Sequence, residues 1–252
     1  MSERLYILTG SSRGLGAAMA EQLLAAGRVL LCIARHRNAA LARKAEKAGA
    51  RVEQWSADLA QPLEIAAQLQ AWLAAFDPAA VGSATLINNA GVLTRVGPLD
   101  GCADTEISGA LRVGLEAPML LTAAFLRATR DWPGPRSILN ISSGLGRRAM
   151  AGQATYCAAK AGMDHYTRAV ALDEANRNNG ARIVSLAPGV IDTDMQVHLR
   201  AAEAEGFPDK AMFVGLKEGG QLTSSADTAA RVLAWLDRPD FGTNPIADVR
   251  DA

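Results

Sequence analysis

Three residue types in this sequence have the spacing to move a proton. Ser142 and Ser143 close an apolar run, Tyr156 follows thirteen positions after Ser143, and Lys160 stands four beyond Tyr156. A Tyr and a Lys at i and i+4 share one helix face. An ammonium beside a phenol stabilises the phenolate and lowers its pKa. That shift matters because an unperturbed phenol, at about 10, is a poor acid–base catalyst at neutral pH. A serine hydroxyl opposite can hydrogen-bond a substrate oxygen. Tyr-x3-Lys occurs by chance in many helices, so the weight falls on the whole set, in order, at the ends of strands.

A second motif precedes it in the chain. Thr9-Gly10-Ser11-Ser12-Arg13-Gly14-Leu15-Gly16 follows a short apolar run at once. Glycines 10, 14 and 16 allow a sharp turn, a close approach of backbone to a pyrophosphate, and tight packing of the next helix. The helix N-terminus then offers free N–H groups and a positive dipole end. A plain strand-to-helix turn needs glycine too, but the position between first strand and first helix favours dinucleotide binding. Nineteen residues past Gly16 comes Arg35-His36-Arg37, where an NAD-selective site would carry a carboxylate for the ribose 2′-hydroxyl. Arginines suit a 2′-phosphate instead. Arg13 points the same way. Solvated surface arginines are the bland alternative; the agreement of the two positions favours NADP(H).

These residues need elements to hold them. Short apolar or β-branched runs at Leu5–Leu8, Val29–Ala34, Ala84–Ile87, Ser137–Ile141 and Arg182–Leu186, and the alternating stretch Arg51–Ser56, read as strands. Between them lie helical stretches at 14–26, 39–48, 63–76, 104–130 (which contains Pro118) and 154–176, followed by another at 226–236, and Pro245–Val249 reads as a last edge strand. Such alternation predicts an α/β fold, a doubly wound parallel sheet with helices on both faces. No linker, repeat or low-complexity tract divides residues 1–252, so one dinucleotide-binding and catalytic domain is expected. Residues 192–222 have weak periodicity and several glycines, and are expected to form a substrate lid above the carboxyl edge of the sheet.

Composition narrows the classes. Of 252 residues, 49% are hydrophobic and 21% charged, and the 26 basic residues balance the 26 acidic ones. That balance carries no nucleic-acid footprint and no electrostatic membrane anchor. Three widely spaced cysteines, Cys32, Cys102 and Cys157, form neither a disulfide framework nor a zinc motif. They fit a reducing compartment. The apolar start is too short for a signal segment, and no unbroken apolar run approaches the roughly 18 residues of a membrane span. A cytoplasmic location is expected.

Taken together, T-G-S-S-R-G-L-G at 9–16, Asp58-Leu59, N-N-A-G at 88–91, I-S-S at 141–143, Y-C-A-A-K at 156–160 and A-P-G-V-I-D-T at 187–193 resemble the short-chain dehydrogenase/reductase family across almost the whole chain. The stretch D-T-D-M-Q-V-H-L-R resembles its benzil-reductase and sepiapterin-reductase branches. The resemblance implies a Rossmann-type fold and a carbonyl reductase that takes hydride from NADPH and a proton from Tyr156. Lys160 would hold the nicotinamide ribose and lower the Tyr156 pKa. Ser143 would position the substrate oxygen, with Ser142 the alternative. Gly10, Ser12, Arg13, Gly14, Leu15, Gly16 and Arg35 would hold the adenine end and phosphates, with Asp58 and Leu59 at the adenine. Asn88, Asn89, Ala90 and Gly91 would line the cofactor and brace the sheet, and Pro188, Gly189, Ile191 and Thr193 would border the nicotinamide. No metal is implied.

One position departs from the family. An asparagine that helps hold a relay water is replaced by Gly114, which predicts reduced but real activity. A non-catalytic NADP(H) sensor and an alcohol dehydrogenase working oxidatively are the rival functions. The substrate is expected to be a small carbonyl compound, an aromatic ketone or diketone if the lid is apolar. Met195, Met212, Phe207 and Phe213 either line that pocket or pack the lid. Cys157 is expected to face packing, and His36, His165 and His198 share no metal spacing. The helices at 104–130 and 154–176 are those that relatives pair into a homodimer.

Overall fold

The computed structural model describes residues 2–251. Seven strands form one parallel sheet in the order β3-β2-β1-β4-β5-β6-β7. They are β1 (Glu3–Thr9), β2 (Arg28–Ala34), β3 (Arg51–Ser56), β4 (Val81–Asn88), β5 (Arg136–Ile141), β6 (Arg182–Ala187) and β7 (Ile246–Asp248). The α/β, doubly wound fold read from the sequence is the one observed. Helices on both faces explain why the central strands read as continuous apolar runs: six of the seven residues of β2 are buried.

One face carries α1 (Gly14–Gln22), α2 (Ala39–Ala48) and α9 (Ser225–Leu236). Leu15, Met19 and Leu23 meet Ala229 and Val232 there, against Leu8, Leu30 and Val184 of the sheet. The other face carries α3 (Pro62–Ala74), α5 (Ala117–Thr129) and α6 (Ala154–Ala175). Leu69, Leu73, Leu121 and Phe125 fill that layer over Ile7, Leu31 and Leu86. A fully buried side chain of this size contributes about 1.5–3 kcal/mol. α4 (Asp104–Leu111) leads into α5, and two short helices, α7 (Asp194–Ala201) and α8 (Lys210–Glu218), cap the carboxyl edge.

Three expectations need correcting. α1 stops at Gln22 rather than Ala26, its chain turning early so that Arg28 can enter β2. The last strand is three residues long. The run from 104 to 130 is broken by a π turn, Arg112–Glu116. Pro118 has no N–H for the carbonyl of Gly114, and the wider turn absorbs the missing bond. Segments 104–129 are together long and apolar enough to cross a membrane, with mean hydropathy 1.3. Here they are a broken core pair packed on α3 and α6.

Candidate active site

The strand order reverses between β1 and β4, and the ends of these two strands are stitched together. The Thr9 hydroxyl accepts from the N–H groups of Asn89 and Ala90 at 2.9 and 3.0 Å, and Asn89 Nδ2 donates to the Thr9 carbonyl at 3.0 Å. Above this switch point opens a cavity of about 800 Å³. At its floor the glycine loop is packed without slack. A Cβ on Gly16 would lie 2.1 Å from the Gly10 carbonyl oxygen, and one on Gly10 2.9 Å from the Ala90 Cα. Gly10 also has φ +71°, a conformation few other residues adopt. Arg13, at the N-cap of α1, makes no side-chain cap, so the first-turn N–H groups remain open to an anion.

Gly10, Ser12, Arg13, Gly14, Leu15, Gly16, Arg35, Asp58 and Leu59 line one end of the cavity. Asn89, Ala90, Gly91, Pro188, Gly189, Ile191 and Thr193 line its middle, and Ser143, Tyr156 and Lys160 its far wall. A cavity with open helix N–H groups and two arginines at one end, and Ser143, Tyr156 and Lys160 at the other, fits a dinucleotide. Asn88 is the exception among the expected cofactor residues. It is buried at 1% exposure, off the cavity, and its Nδ2 donates to Asn140 Oδ1 at 2.8 Å and Thr122 Oγ1 at 3.3 Å. Its pairing with Asn140 sits at matched register of β4 and β5, so the residue braces the sheet.

The reacting end is built from β5 and α6. Ser143 caps the single turn Gly144–Gly146, its Oγ accepting from the Leu145 N–H at 3.1 Å. That leaves the hydroxyl proton free for an acceptor in the cavity that Ser143 and Tyr156 both line. Ser142, by contrast, donates to Asp164 at 2.5 Å inside the protein. The Ser142 alternative is thereby spent on a structural bond. Lys160 is 4% exposed; its Nζ donates to the Ile141 carbonyl at 2.7 Å and lies 5.6 Å from the Tyr156 ring centroid.

Electrostatics depart from the sequence reading. Burial pushes the Tyr156 phenol up to about 12, with the Ser143 hydrogen bond pulling it partly back. The expected lowering by Lys160 is absent: the ammonium points at Ile141, and its own desolvation brings it down to about 8, opposed by the charge of Asp164.

The remaining wall includes residues the sequence reading does not single out: Leu93, Val113, Leu145, Arg148, Met150, Gln153, Gln196, Leu199, Leu216 and Arg250. Gln153 alone carries a sequence signal, three positions before Tyr156 at the start of the same helix. Of the four side chains expected to line the pocket or pack the 192–222 segment, Met195, Met212 and Phe213 line the cavity. Phe207 is fully buried and stacks on Phe213 at 5.5 Å. Cys157 packs against this same cluster, as expected. His198 lies off the cavity, against the Thr94 carbonyl at 3.4 Å. Among the described residues no group of His, Cys, Asp and Glu could hold a metal ion.

The short chain dehydrogenase family profile matches residues 4–204. This chain belongs to that family. It is similar to benzil reductase ((S)-benzoin forming) of Bacillus cereus, 33% identical over 94% of this chain and 96% of that protein. It is also similar to the sepiapterin reductase of Meriones unguiculatus, 34% identical over 97% and 95%. Among solved structures, a 3-oxoacyl-[acyl-carrier protein] reductase from Brucella melitensis in complex with NAD matches with TM-score 0.79 and 25% identity, over 99% of this chain and 96% of that one. The short-chain oxidoreductase is therefore built on the family's sheet throughout.

Proposed function

We propose that this oxidoreductase reduces an aromatic ketone or 1,2-diketone with NADPH. The observation that carries the reading is the single cavity joining Arg13 and Arg35 at one end to Ser143, Tyr156 and Lys160 at the other. NADPH, when bound, supplies the hydride. Arg13 and Arg35 would take its 2′-phosphate, the open first turn of α1 its pyrophosphate, and Lys160 its nicotinamide ribose hydroxyls.

Tyr156, protonated at neutral pH, would give its proton to the carbonyl oxygen, and Ser143 would hold that oxygen in place. The wall of Leu93, Leu145, Met150, Leu199, Phe213 and Leu216 supports an apolar, flat substrate. Resemblance to benzil reductase ((S)-benzoin forming), whose name gives an aromatic 1,2-diketone as substrate, supports it. A homodimer through the outer faces of α5 and α6, where Met119 and Leu172 are exposed, belongs to the same reading, as do a cytoplasmic location and residues 192–222 acting as a lid.

The test is the loss of NADPH absorbance against aryl ketones, 1,2-diketones and pteridine carbonyls, with the alcohols and NADP assayed in reverse. Turnover that falls by about 10³-fold in Tyr156→Phe supports the reading. NADPH binding without turnover in either direction would replace it with a sensor.

A further inference from the structure

Asp164 has no part in the function proposed above, yet it is the most heavily engaged side chain near the centre. It is 2% exposed and lies one helical turn beyond Lys160 on α6. Its Oδ1 accepts from Ser142 Oγ at 2.5 Å, at the end of β5, and from Ser185 Oγ at 2.6 Å, on β6. Its Oδ2 accepts from Arg147 Nε at 3.2 Å, and Arg147 in turn donates through Nη2 to the Ala247 carbonyl of β7 at 2.7 Å. The segment between Ser143 and Arg147 lies flush on α6: a Cβ on Gly146 would come within 3.0 Å of Asp164 Oδ2 and 2.9 Å of the Lys160 carbonyl oxygen.

We propose that Asp164 is a positioning residue of the active site, whose carboxylate ties the Ser143 segment, β6 and β7 to the helix that carries Tyr156 and Lys160. Burying a carboxylate is costly unless it is fully hydrogen-bonded. Its three donors meet that cost, and each fixes an element that ends at the cavity. The same charge reaches Lys160. Among the described residues no carboxylate forms an ion pair with that buried ammonium, and Asp164 opposes its loss of the proton. Other charged and titratable groups around the pair include Tyr156 on α6, Arg147 on the Ser143 segment, and Asp248 on β7, which is ion-paired with Arg250 and also faces Arg147.

This inference rests on the reductase reading for its catalytic consequence, and its test separates the two. Lysine-¹⁵N-labelled protein without cofactor is titrated by NMR, the Lys160 signal being assigned with Lys160→Arg, and turnover is followed against pH in parallel. Asp164→Asn should lower the Lys160 titration by about one pH unit or more, and cut kcat near pH 8 about tenfold or more, while NADPH affinity changes less than about threefold. Asp164→Glu should restore the titration and part of kcat. Arg147→Gln, at a more exposed position, should move the Lys160 titration the opposite way, upward, because it unmasks the carboxylate; this holds the proposal to account even if Asp164→Asn fails to fold. An Asp164→Asn protein with a lower Tm but unchanged titration and kcat would overturn the proposal, as would an Arg147→Gln protein with no upward shift. If the native protein reduces no carbonyl, the function falls, and the Lys160 titration alone still decides the role of Asp164.

Discussion

Arg13 in the glycine loop and Asp194 at the start of α7 form an ion pair of 2.6 Å across 181 positions of sequence. The pair joins the proposed phosphate site to the cap over the substrate. Both side chains are about 70% exposed (69% and 72%), so the bond itself contributes little, on the order of 0.2–1 kcal/mol. Its interest is that a 2′-phosphate would compete with Asp194 for the same guanidinium. Asp194→Asn should therefore tighten NADPH binding by roughly 1.4-fold to fivefold, the whole of that small energy. Arg13→Ala and Arg35→Ala should each weaken NADPH by about 10- to 100-fold and leave NADH unchanged. Fluorescence titration with both dinucleotides measures this. Equal losses for NADH would remove the arginines from cofactor choice.

Lys160 should cost the folded protein stability. Its pKa is lowered from 10.5 to about 8 by desolvation, so between those values the unfolded chain binds more protons than the folded one. Stability contributed by this group therefore rises with pH from about 8 to about 10.5 and is lowest below 8. A shift of this size corresponds to roughly 3 kcal/mol, an upper bound for the effect. Lys160→Met should be more stable than the native protein at neutral pH, by about 1–3 kcal/mol in urea unfolding, and the gap should narrow as pH rises from about 8 and close only above about 10.5. A gap independent of pH would mean that packing, not charge, sets it.

Gly114 is not an empty slot waiting for an asparagine. It is buried in the π turn, and a Cβ there would meet the Cβ of Ala159, the neighbour of Lys160, at 3.1 Å. On the same crossing, a Cβ on Gly162 would come within 2.8 Å of Leu115. The two helices approach this closely because glycine stands at both contacts. Gly114→Asn should lower stability by about 1–3 kcal/mol through overpacking and should reduce turnover by displacing α6. A gain in turnover at unchanged Tm would instead restore the vacant-asparagine reading.

The fold was legible because its evidence is local. Apolar runs such as Val29–Ala34 alternate with alanine-rich helices, and buried parallel strands need that pattern. The same holds for the glycine loop and for Tyr156 with Lys160, whose relation is set within one turn of one element. What escaped depends on distant parts. The direction of the Tyr156 shift depends on how much water the folded wall removes, which spacing does not encode. Asn88 reads as a cofactor residue from its motif, but the register of β4 against β5 turns it onto Asn140. Asp164 has no neighbour in sequence to announce it, since Ser142 and Ser185 lie 22 and 21 positions away on opposite sides.

The cap gives the last expectation. Phe213 is 7% exposed, lines the cavity, and stacks on the fully buried Phe207 with rings 5.5 Å apart and 25° between planes. One side chain thus does two things: it presents an apolar wall to the substrate and anchors α8 to the body. Offset aromatic packing of this kind is worth about 0.5–1.5 kcal/mol beyond the area it buries. If the substrate is an aryl carbonyl, its ring loses that wall in Phe213→Ala, and kcat/KM should fall by about 10- to 100-fold. A small aliphatic ketone, too short to reach the cap, should lose far less. Phe207→Ala would loosen α8 without touching the wall, so it should raise KM for both substrates alike and lower the temperature at which proteolysis opens the cap. Measuring the two variants against the two substrates separates recognition from anchoring. Equal losses for aryl and aliphatic ketones in Phe213→Ala would show that the apolar wall holds the cap and does not choose the substrate.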